Sequence, residues 1–183
     1  MSHTNNNSRD GLDKYAILYD DSVRMRSGLV YRIIALRDIP EHNVKKGDRG
    51  GYVAGYHNLS QDGTAWVGDD ACVGYNARVT GNALVNKSAF IVGDAFIGGN
   101  ALVTDSSIVT DDAVVTDHAI VRGRAWLVGH SKVFHHAIVT DSAIGGYARV
   151  CGHSKLTGHT MRISGHAWFT GNTIINNTNC WYY

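Results

Sequence analysis

Proline is nearly missing from this chain: Pro40 is the only one in 183 residues. Strands that all use their backbone N–H groups tolerate such a sequence, and chains stiffened by proline-rich linkers do not produce it. Cysteine is also scarce. Cys72, Cys151 and Cys180 are an odd number without metal-type spacing, which argues against a disulfide framework or a zinc site and for a reducing, cytoplasmic setting. No apolar run approaches the twenty or so residues of a membrane-spanning helix. The first residues, "MSHTNNNSRDG", lack the apolar centre of a secretory signal, and residues 1–12 read as a disordered lead-in. Charge is sparse and balanced: 18% of residues are charged and the net charge is +1. No broad field steers the chain toward nucleic acid or an anionic membrane, and neither is an expected partner.

What the chain has in plenty is glycine (21 residues), histidine (10 residues) and a six-residue beat. From Val67, every sixth position is aliphatic: Val73, Val79, Val85, Ile91, Ile97, Val103, Val109, Val115, Val121, Leu127, Val133 and Val139. Four positions after each stands a small residue, from Ala71 and Ala77 through Ser107 and Ser131 to Ala143. The small residue and the next aliphatic are two apart, so in extended chain they share one face while the residue between them points away. The remaining positions are rich in Gly, Asp, Asn and Thr, as in "VTDD", "VTGN" and "IGGN", which is turn chemistry. Each hexad is a very short strand and a bend. Such units coil, and stacked coils form parallel sheets about 4.8 Å between strands.

Taken every eighteen residues, the outward positions sort by character. One column reads Trp66, Leu84, Leu102, Ile120, Ile138; the next Cys72, Phe90, Ile108, Trp126, Ile144; the third Arg78, Phe96, Val114, Lys132 and then Arg149 and Trp168. Basic residues gather in the third column, so three hexads per coil, a triangular prism, fits best. Past Ile144 the beat slips: "AIGGY" is one residue short before "ARVCGH", and "TMRISGH" is one long before "AWFTGN". The second slip restores the phase that the first would invert. The expected architecture is all-β: a parallel β-helix of about six coils over residues 59–178. Residues 13–58 form a β-meander cap and connector with a turn at "DDS", and residues 179–183 an aromatic tail.

The hexads, [LIV]-x-x-x-[STA]-x, resemble the hexapeptide-repeat family of left-handed parallel β-helices, which includes many acyl-CoA-dependent acyltransferases. The leader, with "YRIIALRDI", "VKKGDRGGYV", "NLS" and "AWV", is similar to the front of a bacterial and phage group described as acyltransferases of unestablished activity. The resemblance implies a left-handed helix, a trimer, and acetyl-CoA or another acyl-CoA as cofactor if the chain is an enzyme. That group carries acidic residues after "GGYV", where Ala54, Gly55, Tyr56 and His57 stand here.

Two corner columns hold the titratable side chains. One reads Asn82, Asn100, His118, His136, His153, Asn172; the other reads Asn76, Asp94, Asp112, His130 and ends near His166. The local reading is that Asn, Asp and His stand there because they tolerate positive φ. The catalytic reading makes His118, His136 or His153 a general base for acyl transfer, as the resemblance implies. A metal is not expected, because three residues stacked at about 4.8 Å span too much space for bonds of about 2 Å. "GDRGG" (residues 47–51) lacks the Lys-Ser/Thr of a phosphate loop and reads as a turn. Threonine forms no continuous ladder for ice, since the step from Thr116 lands on Phe134.

Only single-residue excursions interrupt the repeats, so no loop projects to complete a catalytic groove. The leading expectation is therefore a non-catalytic binding or scaffold protein, of phage or mobile-element type by its leader, gripping a host protein or ligand. The alternative is an acyltransferase with its site between adjacent prisms. Outward apolar residues Leu84, Leu102, Ile120 and Ile138, with Phe90, Ile108, Trp126 and Ile144 beside them, mark the expected interface. Its expected occupant is a further copy of the chain, as a trimer or else a dimer, with a heterologous protein as the other partner.

Overall fold

The computed structural model describes residues 13–25, 28–159 and 161–176, together with the backbone of 181–182. The expected lead-in and most of the aromatic tail lie outside the described residues. Two-residue strands recur on the six-residue beat, and each places its second residue inward: Val67, Val73, Val79 and their successors to Val139 are fully buried. The small residues two positions before them are buried as well, from Ala71 to Ala137. Successive coils pair in parallel at a step of eighteen residues, as in Leu102↔Ile120, Ile108↔Trp126 and Val114↔Lys132. The described strands form sheets of ten, seven and six, a β-solenoid of about seven turns with a continuous aliphatic core.

The coil begins earlier than expected. Strand β1 (Tyr15–Met25) pairs antiparallel with β2 (Gly28–Ala35), and β2 with β3 (Arg49–Val53). β3 then runs parallel to the strand Cys72–Val73, with Tyr52 opposite Cys72. The cap therefore continues one face of the prism, and residues 49–59 already belong to the first coil. Leu59 is buried and bridges to Val79. Val53 and Leu59 keep the six-residue step; eight residues then separate Leu59 from Val67 and hide the beat. The extra residues have a use, because the Gln61 Oε1 accepts the Lys14 and Tyr15 amides at 2.8 and 3.3 Å, and its Nε2 donates to the Tyr15 carbonyl at 3.1 Å.

Three further details differ from the expectations. "DDS" is no hairpin turn but an irregularity within β1, between Leu18 and Ser22, where Asp21 reaches Arg49 at 3.1 Å and Arg32 at 3.6 Å. The glycines of "GDRGG" lie partly in β3 rather than in a turn. A Cβ at Gly50 would stand 2.6 Å from both Ile33 and Trp66, so glycine lets the cap close over the first coil. Finally, the strand Trp181–Tyr182 pairs in parallel with Arg162–Ile163 and is the last strand of the ten-stranded sheet.

Candidate functional site

The geometry of the prism corners decides what its polar side chains can do. The left-handed turn residue is not the one in the His and Asn columns but the one before it. Asp105, Asp111 and Asp117 have φ of 62°, 57° and 61°, and Gly81, Gly93 and Gly99 take the same place in other coils. Of the corner histidines, only His135 has positive φ, at 60°, and it too precedes a column residue. The expectation that positive φ explains His118, His136 and His153 is therefore corrected by one residue. The aspartates that carry it also bind the next coil: Asp105 Oδ2 accepts the Gly123 amide and Asp111 Oδ2 the Gly129 amide, both at 2.9 Å.

Freed from that demand, the first corner column is a ladder on the surface. Thr64 donates to Asn82 Oδ1 (3.0 Å), Asn82 Nδ2 to Asn100 Oδ1 (3.1 Å), and Asn100 Nδ2 meets His118 Nε2 at 3.2 Å. Above it His118, His136 and His153 stack with ring centroids 5.0 and 4.9 Å apart and planes within 19° and 3°. All three are exposed. If Asn100 donates, His118 carries its proton on Nδ1 and its Nε2 lone pair is occupied. Among the described residues no carboxylate pairs with any of the three, so nothing there orients a base of the usual kind.

The second column is better equipped. Asn76 Nδ2 donates to Asp94 Oδ1 at 3.1 Å, and His130 Nδ1 lies 3.3 Å from Asp112 Oδ2. His130 stacks on Tyr147 (4.8 Å, 15°) and Tyr147 on His166 (5.1 Å, 7°). The eighteen-residue step from Asp112 to His130 shows the pair in the sequence, but Tyr147 is hidden there by the register slip. Between the two columns lies the face of Lys132 and Arg149, which stand in register on adjacent strands. They line an open depression of about 310 Å³ with Val114, Thr116 and Phe134. Among the described residues no three His, Cys, Asp or Glu side chains converge to hold a metal ion.

The expected apolar interface divides on exposure. Leu84, Leu102, Ile120 and Ile138 are outward and in register, yet each is half-buried among its neighbours. On the next face Phe90 is half-buried, while Ile108 and Trp126 are 39% and 47% exposed. Ile144 does not belong to this row. It is fully buried opposite Leu127, and Ala143 takes the outward place opposite Trp126. The short repeat lies before Ile144, not after it: Val139 and Ile144 are five apart, and Ser142, not Ala143, fills the inward small position.

In comparison with known proteins, the chain matches no family model and no curated sequence.

Cys72 and Cys151 are buried free thiols, and burial, with the Asp70 carboxylate next in weight, pushes the Cys72 thiol up to about 11. At pH 7 Cys72 is a protonated, inert group. Arg32 ties the cap to the coil. Its guanidinium donates to the Gly50 and Asp69 carbonyls at 3.0 and 2.8 Å and lies 4.0 Å over the Tyr52 ring.

Proposed function

We propose that this chain is a non-catalytic binding or scaffold protein whose contact surface is the face of Phe90, Ile108 and Trp126. The observation that carries the reading is the exposure of Ile108 and Trp126, in register with half-buried Phe90, on a sheet whose inward side is fully packed. A row of large apolar side chains facing water on adjacent rigid strands is the kind of surface that association covers. The occupant in this reading is another copy of the chain, with a heterologous protein as the next candidate. The hexad resemblance also supports self-association, and from it comes the expectation of a trimer.

A second reading, an acyl-CoA-dependent acyltransferase, draws on the same resemblance and on one contact. The Asp112–His130 pair is a carboxylate-oriented imidazole at a prism edge, the arrangement a general base requires. It would serve there better than His118, His136 or His153. Isothermal calorimetry with acetyl-CoA separates the readings. The scaffold reading predicts no saturable heat, and a dissociation constant in the micromolar range would replace it with the enzyme.

A further inference from the structure

Charge is balanced over the whole chain but not along the prism. Residues 59–117 carry eight aspartates against Arg78 and Lys87, a net −6. Residues 118–176 carry Arg122, Arg124, Lys132, Arg149, Lys155 and Arg162 against Asp141 alone, a net +5, and seven of the ten histidines besides. Because the coils stack in order along one axis, the two segments are the two ends of the solenoid. The prism is an electrostatic dipole, acidic beside the capped end and basic at the other.

We infer that the second copy docks on the Phe90–Ile108–Trp126 face antiparallel to the first, as a two-fold dimer rather than the parallel trimer that the hexad resemblance implies. This rests on the reading of that face as a contact surface. Any arrangement with the axes parallel, a cyclic trimer included, sets acidic coils against acidic coils and basic against basic. The antiparallel arrangement sets unlike ends together on either side of the axis, while the central coil of Ile108, with Asp112, meets its own copy; like charges juxtaposed across an interface are costly. The face suits such a two-fold. Phe90 and Trp126 lie one strand to either side of Ile108. An axis through Ile108 along the strands therefore sets Phe90 opposite the partner's Trp126. On the adjoining edge it sets Asp94, in the coil of Phe90, opposite the partner's His130. An isologous patch of this kind closes on itself at two copies.

Sedimentation equilibrium of the full chain tests the orientation, using two charge-reversed variants. Asp94→Lys with Asp112→Lys inverts exposed corners that do not carry the left-handed φ. Arg124→Glu with Lys132→Glu inverts exposed positions at the basic end. Thermal melts establish that each variant is folded, and Ile108→Glu is the control for the face itself. The antiparallel dimer predicts that each reversed variant alone associates about tenfold or more weakly than wild type at low salt, and that their equimolar mixture recovers wild-type affinity. Reversed variants that associate as tightly as wild type or more tightly, or a wild type of three copies, overturn the orientation and leave the contact surface standing. A wild type that stays monomeric, or an Ile108→Glu variant that associates like wild type, overturns the contact surface and the orientation together.

Discussion

Asp117 Oδ2 accepts the backbone amide of His135, one coil further along, at 2.9 Å, while Asp117 itself holds φ at 61°. One residue thus supplies both the left-handed corner and a bond between coils. Asp117→Ala loses both and is expected to cost about 1–2 kcal/mol. Asp117→Gly keeps the corner and loses only the bond, so its cost should be smaller. His118→Asn, one residue on, should leave stability nearly unchanged because its φ is ordinary. Urea titrations rank the three; a His118 variant as damaging as Asp117→Ala would contradict the corner geometry.

Val115 and Thr116 test the hexad assignment at its centre. Val115 is fully buried in the aliphatic column, and Thr116 lies at the bend. Val115→Asp places a carboxylate where it has no partner, at an expected cost of at least about 3 kcal/mol, and should unfold or aggregate the chain. Thr116→Asp should shift the melting temperature by only a few degrees. Equal melting temperatures would refute the inward direction of Val115.

Much of this was legible because the period is short and the packing unforgiving. An inward Val every six residues and a column every eighteen follow from sequence alone, and Trp66, Leu84, Leu102, Ile120 and Ile138 do share a face. The place of Ile144 is ambiguous in the sequence because Ser142 and Ala143 are both small enough for the inward site. Only the structure shows the Ser142 hydroxyl donating to the Thr140 carbonyl at 2.9 Å, which settles it inside. The first coil is hidden in the sequence because two extra residues break the beat between Leu59 and Val67, where Gln61 anchors the cap. The Asp112–His130 pair and the axial division of charge were both present in the letters. Seeing them required the order of coils, since composition alone averages the two halves to +1.

Lys14 makes stability depend on pH in a specific direction. It is buried beside the cap, and burial, reinforced by the Arg37 charge and opposed by Asp62, lowers it to about 8 from 10.5. Between those values the unfolded chain binds a proton that the folded chain does not, so this group's contribution to stability rises with pH across the window. Below about pH 8 the penalty is present in full. Lys14→Met should therefore stabilise the protein at pH 7 by up to about 3 kcal/mol, with the advantage fading toward pH 10.5. Denaturant titrations of both proteins at pH 7 and 10 check it. A difference independent of pH would show that Lys14 is not the titrating group.

The central claim, that the face of Phe90, Ile108 and Trp126 is covered by a second copy of the chain, is tested most directly by the mass of the protein in solution. Light scattering on wild type over a broad concentration series should show the mass rising from one copy toward two. Ile108→Glu, with the same melting temperature, should remain at one copy throughout. A wild type that stays at one copy at the highest concentration would contradict the account.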